Sequence, residues 1–379
     1  MAATLISEET TPKPKERLLY IDNLRLLVIV LVVSIHLAVT ISGLGSWYYV
    51  YGTHLDTLST VWFAFYQSFT QGYFLGLLFM ISGYFVAGSY DRKGFSRFTW
   101  DRFKRLGIPT LIFMIAITPF IEIVELGNKF TGFNLLGFLS GTGPMWFAAA
   151  LFGFALIYAL VRLGSRRPVL EPEKKPLEPT LSFLVSLILI IAVSAFLIRI
   201  VQPIGTSILN FQICYFASYI VLFIVGVLAY RSNLFAKISY GTAKRWLIAA
   251  ALSFIPWFFL VAIASATGTT TAVMGGLTWQ SAAFSLWESF IAVGMSIGLV
   301  GVFKEKLNHQ GKVVKALSDN AFAVYMFHPM IIIPVTLLFT PFALYPIAKW
   351  LMLCIICIPL CFAATHFVFR RIPLLNKVL

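Results

Sequence analysis

Charge is what this sequence has least of. Asp, Glu, Lys and Arg make up 12% of its 379 residues, against 59% hydrophobic ones. A soluble domain carries about 25% charged and about 45–50% apolar residues. A water-soluble globule of this size cannot hide that much apolar surface, so a soluble enzyme is excluded. Acidic residues are scarcer still, with 15 against 29 basic ones and a net charge of +14. Disorder is excluded as well, because disordered chains are poor in aromatics and this one has 36 Phe, 15 Tyr and 9 Trp. Cysteines number only four: Cys214 stands alone, and Cys354, Cys357 and Cys361 fall at i, i+3 and i+7 of one apolar stretch. That spacing reads as a packed helical face; a metal cluster needs polar surroundings, and cysteines of one helix do not pair. What remains is an all-α, polytopic integral membrane protein.

A crossing needs about 20 mostly apolar residues. About ten stretches qualify, at 18–42, 60–88, 107–125, 144–162, 181–200, 212–230, 246–265, 281–303, 320–340 and 347–368. Ten crossings put both termini on one side. Of the 29 Lys and Arg, 25 then fall on that side; the exceptions are Lys129, Arg199 and Lys349 at the opposite ends of spans and Arg25 within the first. Such asymmetry makes the basic side cytoplasmic. The positive charge is thus a topology signal and needs no nucleic acid. Residues 1–17 read as a disordered cytoplasmic tail without a signal-peptide core, and 18–379 as one membrane domain. Pro168, Pro172, Pro176 and Pro179 mark 164–180 as a flexible cytoplasmic connection.

An ionisable group at bilayer depth costs at least about 2.5–3.5 kcal/mol and is a functional candidate for that reason. The first span carries Asp22, Arg25 and His36. Eleven residues at 100° each leave Arg25 and His36 about 20° apart around the helix and about 16 Å apart along it. Arg25 is near the cytoplasmic boundary and His36 in the outer half. Asp22 can pair with Arg25 one turn on, which also reads as a helix anchor, and His36 also reads as a buried histidine bonding a carbonyl. His328 lies in the ninth span beside Pro329, one turn after Tyr325; a structural histidine at a proline kink is the other reading. Glu288, Glu122 and Glu125 fall at outer span ends and read as interfacial, facing water. His54, His309 and His366 carry no signal. Ser82 and Gly83 lie inside an aromatic span, where glycine permits close helix approach. Arg102 and Arg105 share a helical face in a basic run ending Gly107-Ile108-Pro109. They suit lipid headgroups or phosphates arriving from the cytoplasm.

Together these residues resemble the membrane O-acyltransferases known as acyltransferase family 3. The resemblance covers about 18–377. It rests on Asp22, Arg25 and His36 in the first span, on Phe79, Ser82, Gly83 and Tyr84, on Arg102, Arg105 and Pro109, on Trp146 and Phe147, and on Tyr325 and His328. The phrases Y-I-D-N-L-R, R-L-G-I-P and R-I-P-L-L most resemble the branch that contains the periplasmic glucan succinyltransferase, glucan biosynthesis protein C. Two departures stand out: Met145 precedes Trp146 where members often have His, and His328-Pro329 stands where the glucan branch tends to have His-His-Pro.

The resemblance implies transfer of an acyl group, acetyl or succinyl, from cytoplasmic acyl-CoA to a hydroxyl of an extracytoplasmic glycan or glycolipid, as in O-acetylation of envelope polysaccharides. Acetyl-CoA or succinyl-CoA is then a donor substrate, with no permanently bound cofactor and no metal; membrane lipids surround the protein in the plasma or cytoplasmic membrane. His36 is the implied base, with Arg25 and His328 as catalytic partners. Arg102, Arg105, Arg25, Ser82 and Tyr84 fall on the donor side, and Asp22, Trp146, Tyr325 and Glu288 support them. No Ser-centred nucleophile motif is apparent, which favours direct transfer over an acyl-enzyme, with Ser82 the open alternative. A transporter or flippase for a small anionic or lipid-linked substrate would use the same buried Arg and His.

Overall fold

The structure, a computed structural model, describes residues 17–52, 54–129, 132–165 and 177–372. The expected tail, apart from Arg17, and the central part of the proline-rich connection lie outside the described residues, as do residues 373–379. No β-strand is formed among the described residues. Among the described residues, nine helical runs are long and apolar enough to cross a membrane.

The longest run, Thr57–Glu125, has 69 residues. A straight helix of that length would extend about 100 Å, several times the roughly 30 Å of a bilayer's hydrocarbon core. It does not run straight. Gly94 has φ 67° and ψ 178°, a conformation open to glycine and costly to any residue with a Cβ. Both ends of the run lie at one face: Asp56 caps its start and accepts from Tyr345, while Thr118 near its end donates to Gly141 and adjoins Tyr48, in the loop before Asp56. The run doubles back at Gly94, which makes ten crossings among the described residues. Two of the expected spans are joined through one glycine rather than by a loop.

We number the crossings α1 (Leu19–Ser42), α2 (57–93), α3 (95–125), α4 (Gly143–Gly164), α5 (Leu181–Val201), α6 (Ile213–Ser232), α7 (Tyr240–Ala266), α8 (Trp279–Lys306), α9 (Lys312–Leu338) and α10 (Pro346–Arg371). Polar side chains set many of the ends. Asp56, Thr180, Ser239 and Thr278 accept from the first free amides of α2, α5, α7 and α8, and Gly43 and Asn233 close α1 and α6 in left-handed conformations, as orphan backbone groups require. One face of the bundle carries Arg17, Arg102, Arg105, Lys237, Lys304 and Arg370; it is the face read as cytoplasmic.

Helix α1 is the axis of the fold. It is buried along most of its length and packs against α2, α8, α9 and α10. At the basic face the Asn23 amide donates to the carbonyls of Leu307 (2.6 Å) and His309 (3.0 Å), fixing the start of α1 to the α8–α9 turn. Helices α2 and α6 cross in backbone contact. A Cβ at Gly83 would strike the Phe223 carbonyl, and one at Gly226 the Met80 carbonyl; only glycine lets these backbones touch. The cysteines of α10 are free, with Cys357 and Cys361 buried and Cys354 partly so, as a packing face requires. Helix α3 contains three π-helical segments, Phe103–Gly107, Phe113–Ile117 and Phe120–Glu125.

Candidate active site

Two histidines from opposite ends of the sequence meet at the outer half of the bundle. Pro329 lacks an N–H, so the Tyr325 carbonyl four residues back loses its helical donor. The His328 ring takes that place, with Nδ1 2.8 Å from the Tyr325 oxygen. Nδ1 therefore carries the proton in the neutral ring, and Nε2 is left as an acceptor. His36 Nδ1 lies 2.9 Å from His328 Nε2 and donates to it. The remaining lone pair of the pair then sits on His36 Nε2. His328 is 0% exposed, while His36 is only partly buried.

A third ring completes the arrangement. Trp47, from the loop after α1, stacks on His36 with centroids 3.8 Å apart and planes 17° off parallel. The imidazole is thus fixed on one face by an indole and at one edge by a hydrogen bond. Sequence reasoning missed Trp47, because one aromatic among so many gives no signal; its place five residues beyond the end of α1 was the available hint.

Around this pair the outer loops interlock. The Tyr325 hydroxyl donates to the Pro144 carbonyl at the entrance to α4, and Phe147 packs edge-on against Tyr325 at 6.2 Å. The position before Trp146, where a histidine is common in the family pattern, here belongs to a short 3-10 turn over Gly143–Met145 whose backbone receives Tyr325. Trp146 itself packs among Phe211, Phe216 and Tyr219. Asn210 donates to Thr142 Oγ1 at 2.9 Å and to the Gly143 carbonyl at 2.8 Å, pinning the α5–α6 loop over α4. Burial, with the carboxylates of Glu122 and Glu125 adding to it against an opposing bond from Thr118, pushes the Tyr48 phenol up to about 12. Tyr48 therefore stays a hydroxyl donor at neutral pH.

At the basic face, Asp22 is held more tightly by Arg17 (2.6 Å) than by Arg25 (3.4 Å). The expected Asp22–Arg25 pair exists, but its carboxylate is shared. The Arg25 side chain keeps 41% of its surface exposed and lies over the Phe85 ring at 4.7 Å. Arg102 lies over Phe98 at 5.2 Å and within electrostatic reach of both Arg25 and Arg105. Arg105 is exposed and makes no hydrogen bond or ion pair among the described residues. Three guanidinium groups thus converge near two carboxylates that are already engaged, Asp22 by Arg17 and Asp101 by Lys93 and Lys104, which is the electrostatic outline of an anion site. Helix α1 is unbroken between Arg25 and His36, so the helical offset of about 16 Å and about 20° applies. Ser82 and Tyr84 lie at the α2–α6 crossing, where Tyr84 stacks on Phe235 at 4.9 Å and meets Tyr230 edge-on.

Glu288 does not face water. It is 5% exposed and paired with Arg199, itself 0% exposed. Arg199 also donates to Ser285 at 3.1 Å and lies over Tyr215 and Phe284. A charge this deep is retained only with a partner, and each of these two residues, read alone as a span-end charge, hid the other. Glu122 keeps a bond from Asn128 at 2.5 Å.

Over residues 18–366 the chain matches the acyltransferase domain family, and it belongs to that family. Fold and family together define a multi-pass integral membrane acyltransferase. No curated protein and no solved structure matches the chain.

Proposed function

We propose that the protein transfers an acetyl or succinyl group from acyl-CoA at the cytoplasmic face to a hydroxyl of a glycan or glycolipid on the outer side of the cell membrane. The observation that carries this reading is the Tyr325–His328–His36 line of hydrogen bonds, which leaves His36 Nε2 as the free base. A sugar hydroxyl is a weak nucleophile and needs such a base near neutral pH. In the reaction, His36 Nε2 takes the hydroxyl proton as the oxygen attacks the thioester carbonyl. The C–S bond then breaks, and the proton passes to the departing CoA thiolate. Arg25 would hold the body of the donor, and Arg102 and Arg105 would hold the CoA phosphates. The 16 Å between Arg25 and His36 suits a donor threaded partway into the membrane. The likeness of Y-I-D-N-L-R to the glucan branch supports succinyl as the acyl group and a glucan as the acceptor.

Inside-out vesicles test the reading. Labelled succinyl-CoA or acetyl-CoA added outside should acylate a glucan trapped in the lumen, and His36→Ala protein should not support it. Label that reaches the lumen as unreacted acyl-CoA, with no acylated glucan, would instead mark a carrier.

A further inference from the structure

Away from the histidines, α1, α9 and α10 leave a crevice at the basic end of the bundle. Its volume is about 590 Å³ and its walls are almost wholly apolar, with Leu26 and Val30 of α1 as the floor and Ala316, Ile358 and Phe362 as sides. The size is that of a small-molecule pocket. From His366 to Ile358 it runs eight residues along α10, about 12 Å. Its open side is edged by Ala316 of α9 and Pro359 of α10, both exposed, and so faces the surrounding lipid rather than the protein interior.

The polar residues of its lining are Lys312, Asn320 and His366. Lys312, at the mouth, makes no hydrogen bond or ion pair among the described residues. Arg370 Nη1 donates to Asn320 at 3.5 Å, and the same Asn320 contacts His366 Nδ1 at 3.2 Å. The nearby carboxylate, Asp319, is already engaged by Lys315 (2.6 Å) and Arg17 (3.2 Å). The mouth is therefore cationic and lies at headgroup depth, while the body is apolar and lies at acyl-chain depth.

We propose that this crevice binds one anionic phospholipid, with an acyl chain along Leu26 and Val30 and the headgroup phosphate at Lys312. A cationic pocket between helices at the cytoplasmic face selects acidic headgroups. An apolar body open to lipid takes the chain. The floor is the face of α1 turned away from Arg25, so the bound chain braces the helix that carries the candidate base.

Native mass spectrometry of the intact detergent-purified protein, titrated with phosphatidylglycerol or phosphatidylcholine, tests this without any activity measurement. One phosphatidylglycerol should be retained at least about fivefold more strongly than phosphatidylcholine, the ratio expected from one basic contact. Ala316→Trp, which fills the crevice, should abolish retention; Val313→Trp serves the same purpose if Ala316→Trp fails to fold. Lys312→Glu should weaken it at least fivefold, while Lys244→Glu, exposed on α7, should leave it unchanged. Equal retention of the two lipids, or undiminished phosphatidylglycerol on a crevice-filled variant that unfolds at the wild-type temperature, would overturn the proposal.

Discussion

At the residue scale, the proposed chemistry rests on which nitrogen of which ring holds a proton. His328 is set by a carbonyl that a proline has freed, and His36 by His328. The two should therefore respond differently to truncation. His36→Ala removes the proposed base and should cost about 10²–10⁴-fold in kcat, the usual worth of such a group. His328→Ala leaves the base but frees its ring, and should lower kcat less, with KM for acyl-CoA unchanged in both. Turnover of both variants, measured on protein that still elutes as a single folded species, checks the order; equal losses would mean that His328 does more than orient its neighbour. Arg25, His36 and His328 were legible in the sequence because an ionisable side chain is conspicuous in an apolar run. Trp47 was not, since aromatics are everywhere in this chain. Nor was the hydrogen bond between the histidines, because nothing in the sequence reports how α1 and α9 are rotated against each other.

Between elements, two kinds of contact hold the bundle, and they fail in different ways. The α2–α6 crossing depends on glycines that admit a backbone carbonyl. Gly83→Ala or Gly226→Ala should separate these helices and lower the thermal midpoint, while Gly153→Ala, with open space around it, should be neutral or slightly stabilising in a helix. Scanning fluorimetry of the three variants side by side reads this directly. The α5–α8 contact depends on charge. Removing one partner of a buried pair costs about 3–5 kcal/mol, because the other charge is stranded, whereas replacing both with apolar residues of similar volume is often close to neutral. Arg199→Ala should therefore be severely destabilised, and Arg199→Met with Glu288→Leu should recover most of the loss. A double variant no better than the single would assign Arg199 a role other than pairing. Span positions at this scale were read to within a few residues for most helices, because hydropathy is a local property. The exceptions are instructive: α9 begins eight residues earlier than its apolar stretch suggests, as Lys312 and Lys315 extend a helix outward into the headgroup region, and the α2–α3 link hides a hinge in a single glycine.

For the whole molecule, the distribution of Lys and Arg predicts which way the bundle faces. Lys129 and Lys244 are both exposed and lie at opposite faces. In intact cells a membrane-impermeant maleimide should label Lys129→Cys and spare Lys244→Cys, and in inside-out vesicles the pattern should reverse. The native cysteines are buried or partly so and should contribute little background. The all-α membrane architecture was legible from composition alone, since a chain this apolar has no soluble alternative. The interlocking of the outer loops through Asn210, Pro144 and Tyr325 was not, because it is built from backbone carbonyls, which every residue possesses and no sequence pattern marks.

The three wide turns of α3 bear on time rather than on shape. Each π-helical segment takes in an extra residue and leaves the ladder of i to i−4 bonds out of step, so this crossing holds its backbone less uniformly than the unbroken α1. Exchange of amide hydrogens with solvent follows such local opening. Deuterium uptake in detergent or nanodiscs should therefore reach residues 103–125 well before residues 24–36, even though both lie at bilayer depth. The helix that brings Arg102 and Arg105 to the donor side would then be the one that breathes while the helix carrying Arg25 and His36 stays still, and a bulky donor would enter and leave by the yielding wall.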